Sequence, residues 1–265
     1  MYKSAESLYE RGVEERYQYI HRAEDSAKYT IPALMPPSHS GGNMKHNRLY
    51  QPYQSMGSRG VNALSSNLLI SLLPPNQSFF RLVIDDAAVA QLGGPEIQSE
   101  VESSLSQIER VVQKEVEVMA FRPVIHEALR LLVVTGNALV HMDNDGELRC
   151  FRLDSYIVRR RPNGKVDTII LKEQVYLESL SEEMQKMLIP ELGGGPTDKT
   201  VDLYTCVHWD PAKKKFHTYQ MIKNITVPGS EASYPEKELP FLALRFTRVQ
   251  GENYGRSFVE EHIGD

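Results

Sequence analysis

Cysteine is scarce: Cys150 and Cys206 are the only two in 265 residues. Two thiols build no disulfide framework, and the usage fits a reducing compartment. Long apolar runs are missing too. The longest, residues 68–73, is interrupted by Ser71 and is far too short for a membrane-spanning helix. Basic charge is not in excess: 30 Lys and Arg stand against 35 Asp and Glu, a net charge of −5. That argues against a protein held to nucleic acid by a basic surface, which needs clustered Lys and Arg. A protein that handles nucleic acid without adhering to it stays compatible. The opening residues are charged, so no secretory leader is expected. The signature loops of catalysis are absent as well: there is no HExxH, GxSxG, Walker loop or GxGxxG. Gly193, Gly194 and Gly195 are followed by Pro196, Thr197 and Asp198 and then a strand pattern. No helix opens after them, so no phosphate cradle is expected.

What the sequence does contain centres on residues 122–143, RPVIHEALRLLVVTGNALVHMD. Ile125, Leu129, Leu132 and Val133 recur at helical spacing, with Pro123 near the helix start. Gly136 suits a left-handed residue just past the helix end. Residues 138–142 then read as a short buried strand, and Asp145–Gly146 turns the chain into a second one. Segments before this joint are mostly helical and those after it mostly extended.

On the helical side, residues 5–28 read as an amphipathic helix with Leu8, Tyr9, Val13, Tyr17, Ile20 and Ala27 on its apolar stripe. A loop over residues 38–46 carries His39 and His46, whose spacing fits no zinc pattern. Residues 55–73 predict a helix with a single formal charge, Arg59, so most of it should be covered. Phe79, Phe80, Leu82 and Ile84 suggest a strand or an apolar anchor before an acidic turn at Asp85 and Asp86. Residues 97–119 have the clearest periodicity: Ile97, Val101, Leu105, Ile108, Val112, Val116 and Met119 step by three or four. The short link to the next helix predicts a helical hairpin.

On the extended side, strands are predicted over 147–153, 156–161 and 165–172, with Asn163–Gly164 as a hairpin turn. A short helix over 181–188 has Ser181 as its N-cap. Residues 201–209 alternate, Val201, Leu203, Thr205, Val207 and Trp209 against Asp202, Tyr204, Cys206 and His208, and residues 215–222 pair back. Another strand covers 241–249. Asn224–Ile225–Thr226 matches a glycosylation sequon, which means little without a secretory signal. Ser257 and Glu260 fit a capping box, so a helix begins there. It stops at Asp265 after about two turns, too few to be stable alone. The expectation is a truncated product whose helix continues further.

Candidate chemistry is sparse. His208 and Asp210 flank Trp209 without a nucleophile or metal set, and His126 on a helix reads as structural. No catalytic, cofactor-binding or metal-ligating residue is assigned, and no cofactor is expected. Arg159, Arg160 and Arg161 form the only tight basic run. The plainer reading is an exposed strand end beside a turn; the sharper one is an interaction edge for an acidic partner surface.

Several stretches, taken in order, resemble a known family: AKYTIPALMP from Ala27, YQSMGSRGVNALSSNLLISLLPPNQSFFRLVI from Tyr53, HEALRLLVVTGNALVHM from His126, VDLYTCVHW from Val201 and YPEKELPFLALRFTRVQGENYGRSFVEEHIGD from Tyr234. Together they resemble the N-terminal half of the head-to-tail connector, or portal protein, of short-tailed bacteriophages. The ordered set carries the resemblance, since no single motif is diagnostic. Residues 38–46 and 189–198 match less well and are expected to carry variable surface.

The resemblance implies a structural ring subunit, usually in twelve copies, at one capsid vertex. Its implied partners are sister subunits, major capsid and scaffolding proteins, tail adaptor proteins, the packaging terminase, and double-stranded DNA in transit. The implied location is the virion, with assembly in the host cytoplasm and no membrane. This half would supply much of the outer wing, and the channel-lining stem would begin at Ser257. DNA-contacting residues would then lie beyond Asp265, and none is assigned here. An acidic channel would let DNA slide, because phosphate repulsion removes the counterion-release drive to adhere. The fold expected is α+β: N-terminal amphipathic helices packed on an antiparallel β-meander. Residues 1–137 would form a helical part of the wing, 138–256 a β-rich part, and 257–265 the start of the stem. Apolar helical stripes beyond what one copy can cover suit a subunit completed by its neighbours. Two rivals are a phosphodiester-cleaving enzyme with a carboxylate-bound metal and a host-directed interaction protein using the Arg159–Arg161 edge.

Overall fold

The computed structural model of the chain describes residues 4–37, 50–75, 77–84, 95–143, 145–191 and 200–263. The loop with His39 and His46, the turn at Asp85 and Asp86, and the glycine run at 193–195 lie outside them. The fold is α+β and its sheets are antiparallel throughout.

The expected joint forms. Helix α4 (Phe121–Thr135) ends at Gly136, whose φ of +74° is the left-handed conformation that a side chain resists. The chain then enters β1 (Asn137–Met142), whose first four residues are buried. Turned at Gly146, it returns as β2 (Leu148–Phe151) along β1. The other side of β1 is paired with β9 (Phe241–Arg245), which comes from far along the chain. β1 is therefore the central strand of a three-stranded sheet ordered β2-β1-β9.

The remaining strands do run as a meander. β3 (Tyr156–Arg160), β4 (Val166–Tyr176), β5 (Thr200–Asp210), β6 (Lys215–Ile222) and the two-residue β7 (Ile225–Thr226) are neighbours in chain order. β8 (Ala232–Pro235) pairs with the other end of β6. The meander expected as one sheet is thus divided into two. Residues on β1, β3, β4, β5, β6 and β9 contribute to one core, where Leu139, Val158, Ile169, Leu171, Val207, Phe216 and Phe241 meet Val133 and Val134 of α4.

Helix α1 (Ala5–Tyr29) lies on the larger sheet, its glycine at position 12 against Ile157. Its buried face differs from the expected stripe: Tyr17 is 62% exposed, while Arg16, Tyr19, Ala23 and Ser26 are buried. Arg16 substitutes hydrogen bonds for apolar contact, its Nη1 donating to the carbonyls of Leu153 (2.8 Å) and Tyr156 (2.5 Å). That arrangement satisfies two main-chain acceptors where the chain enters β3. The strand alternation expected for β5 holds, but both faces are covered. Val207 enters the main core, and Tyr204 and Cys206 pack with Ala5 and Tyr9 beneath the start of α1. Helix α5 (Glu182–Glu191) covers Val201 and Ile222 with Met184 and Leu188, capped weakly by Ser181 Oγ from Met184 N–H at 3.4 Å.

The helices before the joint leave much of their apolar surface uncovered within the chain. α2 (Met56–Leu72) buries only Val61 and Ser65, and Met56, Ile70 and Leu72 are exposed. In α3 (Pro95–Val118) no described side chain is buried; Ile97, Ile108, Val111 and Val112 all face outward. The helical hairpin expected between α3 and α4 does not close over these residues. Ala120 in the link takes a left-handed φ of +51°. Residues 79–84 form no strand; Leu82 N–H instead donates to the Glu109 carboxylate of α3.

Candidate functional site

Each residue of the basic run has a different environment. Arg159 reaches across to α1 and pairs with Glu15 at 2.7 Å. Arg160 turns inward at a register shift between β3 and β4. Its guanidinium donates to the carbonyls of Asn253 (2.9 Å), Gly164 (3.2 Å) and Ala243 (2.9 Å), and its N–H donates to Asn253 Oδ1 at 2.9 Å. Arg161 pairs with Glu236 at 2.9 Å and sits over the Trp209 ring at 4.5 Å. None of the three is a fully exposed strand end; all are partly buried and held by partners within the chain.

Two further arginines join Arg160 and Arg161. Arg245 closes β9, and Arg248 follows in the loop after it. A cleft of about 330 Å³ opens between the β3–β4 turn and this loop, lined by all four and by Pro162, Val249 and Asn253. Arg245 donates to the Glu252 carbonyl at 2.9 Å and Arg248 to the Asn163 carbonyl at 3.2 Å. The Arg248 guanidinium lies against Gly164, where a Cβ would push it aside, and the turn's φ of +81° is one that glycine adopts without strain. Burial pushes the Arg160 pKa down to about 10, and the charges of Arg245 and Arg248 push the same way. Arg245 is lowered by burial and by Arg248. Arg245 and Arg248 were not apparent from the sequence, because their place beside Arg160 depends on β9 returning to pair with β1.

A second constellation locks the chain after β9 to the joint. Asn137, 2% exposed, donates its amide to the carbonyls of Thr135 (3.0 Å) and Gly255 (2.9 Å), and its Oδ1 accepts from the Gly255 N–H at 2.7 Å. Phe246 N–H donates to the Gly136 carbonyl at 2.9 Å, and Thr247 and Arg256 form an antiparallel bridge. Tyr254 is buried against Tyr19, its hydroxyl accepting from Val158 N–H at 3.1 Å. From this lock emerges α6 (Phe258–His262), capped as expected by Ser257 Oγ accepting from Glu260 N–H at 2.8 Å. The reciprocal half of the capping box is replaced: the Glu260 carboxylate faces Arg22 of α1 at 3.5 Å. Phe258, Val259 and His262 border an apolar cleft with Val61 and Leu64 of α2 and Val133 of α4.

The residues considered for catalysis are not assembled. His208 meets Thr168 Oγ1 at 3.3 Å and stacks on Tyr219, and burial lowers its pKa. Asp210 accepts from the Ala212 and Lys213 N–H groups and faces His217 at 3.6 Å. His126 lies 3.5 Å from Ser66 Oγ. Cys150 and Cys206 are free thiols that burial raises to about 12. Among the described residues no group of three or more His, Cys, Asp or Glu side chains could hold a metal ion. No described helix is long and apolar enough to cross a membrane.

The sequence model of the bacteriophage head to tail connecting protein family matches residues 2–265. The chain belongs to that family. Curated relatives of this connector-family chain carry the name portal protein. That of Escherichia phage T7 is 33% identical over 267 residues, covering 98% of this chain and 49% of the relative. That of Enterobacteria phage T3 is 34% identical over 266 residues, with the same coverage. That of Pseudomonas phage phiKMV is 33% identical over 250 residues, 92% of this chain and 48% of the relative. The chain therefore spans about half the length of the curated relatives it matches.

Proposed function

We propose that the chain is the N-terminal half of a structural portal subunit, one copy in a ring at the capsid vertex. DNA is packaged and ejected through that ring, and the tail attaches to it. The ring, of about twelve copies by the family resemblance, has capsid, scaffolding, tail adaptor and terminase partners. It resides in the virion after assembly in the host cytoplasm. Residues 1–137 and 138–256 are the helical and β-rich parts of its wing, and 257–265 begin its stem. The chain builds walls and docking faces and catalyses nothing.

The observation that carries this reading is the family match across residues 2–265. The bare apolar face of α3 supports it, because a ring neighbour would remove that face from water. Negative-stain imaging of the chain, beside a polypeptide continuing past Asp265, tests it. Rings with an axial opening in the longer polypeptide are the expected result. Monodisperse monomers in both, or metal-dependent nicking of DNA by the purified protein, would overturn it.

A further inference from the structure

The cleft around Arg160 holds positive charge that its surroundings do not neutralise. Arg160, Arg245 and Arg248 hydrogen-bond only to main-chain carbonyls and one side-chain amide oxygen, and none has an ion pair among the described residues. Of the two nearby carboxylates, Glu236 is paired with Arg161 and Lys165, and Glu252, which lines the cleft, is paired with Arg256. Carbonyls fix where these guanidinium groups sit without cancelling their charge. In a chain with a net charge of −5, three such cations gathered in one concavity are a local reversal of sign. Burial chiefly, and mutual repulsion after it, lower Arg160 and Arg245, and an anion that enters relieves the repulsion.

We propose that this cleft receives a carboxylate side chain from an acidic segment of a protein partner. Arginine forks match a carboxylate with two parallel hydrogen bonds. Pro162 and Val249 give the wall an apolar portion for the methylene stem of a glutamate. A nucleic acid duplex fits less well. It would bring many phosphates against an acidic surface, whereas one carboxylate seated in the cleft feels mainly the arginines within a Debye length. Arg159 is outside the site, being committed to Glu15 on α1. The site does not depend on ring formation and is read on the isolated chain.

Trp209, the only tryptophan, lies under the Arg161 guanidinium and reports on the cleft. Its fluorescence is followed while the chain is titrated with a hexaglutamate peptide, a hexaglutamine peptide, inorganic phosphate and a short DNA duplex. The expected result is a saturable change with hexaglutamate alone at low concentration, weakened by salt. Arg248→Gln should weaken it about tenfold, the loss of one charge-assisted contact. Arg248→Lys, which keeps the charge but loses the fork, should recover only part of it, and Arg159→Gln should retain all of it. Arg248 is exposed with one main-chain bond, so its variants keep the fold. No saturable change, an equal response in Arg248→Gln, or an equal response to hexaglutamine would overturn the proposal. So would saturation by phosphate or DNA at lower concentration than by hexaglutamate.

Discussion

Replacing Asn137 with alanine tests whether the lock behind β1 is as tight as its geometry implies. The substitution removes both hydrogen bonds between the Asn137 amide and the Gly255 peptide, at 2.9 and 2.7 Å. Gly255 is itself buried, so its N–H and C=O are left without partners away from water. Orphaning a buried polar group costs about 1–3 kcal/mol, so two of them cost roughly 3 kcal/mol after partial relaxation. Unfolding entropy near 2.1 cal/mol/K per residue gives about 0.56 kcal/mol/K for a chain of this length, so Tm should fall by about 5 °C. Scanning calorimetry measures that shift. Hydrogen exchange localises it: the amides of Gly255, Phe246 and Arg256 should exchange faster, while those of β5 and β6 should change only through the global loss. A Tm change below about 1 °C, or unchanged exchange at Gly255, would show that the amide fork does not hold the two segments together.

Two other outcomes follow from burial. Leu131→Ala, at a side chain 1% exposed, should cost about 2–5 kcal/mol in denaturant unfolding. Ile70→Ala, at a side chain 56% exposed on α2, should change the stability of the isolated chain by no more than about 0.5 kcal/mol. A large loss at Ile70 would mean that α2 is covered within one copy. Acid should also weaken the fold through His208 and His141, whose pKa values burial holds below 6.5. The unfolded chain then binds more protons than the folded one, so stability is lost as pH falls below 6.5 towards the lowered folded values. His208→Gln should flatten that slope in melts between about pH 7 and pH 5; an unchanged slope would remove His208 as its source.

The sequence made the local elements legible wherever one physical signal acted alone. Gly136 marked a helix end because glycine takes the left-handed conformation there without strain, and Ser257 marked a helix start because its hydroxyl takes the Glu260 N–H. Periodicity placed α3 accurately but not its packing on α4, since a three-to-four repeat shows that a face is apolar and not which element covers it. The stripe of α1 held at Tyr9, Ile20 and Ala27 but missed Arg16, buried through hydrogen bonds to main-chain carbonyls, and Ser26, buried beside the Ser257 hydroxyl, which no hydropathy pattern reveals. The division into two sheets was hidden because it turns on β9 pairing with β1 across about a hundred residues. The arginine cleft shares that cause. Arg159–Arg161 stood out as a run, yet the run is not the spatial group, and its missing members, Arg245 and Arg248, arrive only with β9.

The lock at Asn137 also decides how a load would travel through the molecule. β1 is the middle strand of its sheet, flanked on both sides, and the segment leading into α6 is fastened at the point where that strand begins. A tug or twist applied to α6 is therefore delivered to the interior of the sheet and, through the shared core, to the larger one. A hinge at this position would need Gly255 to let go first, so α6 and the two sheets should tilt together as one rigid lever.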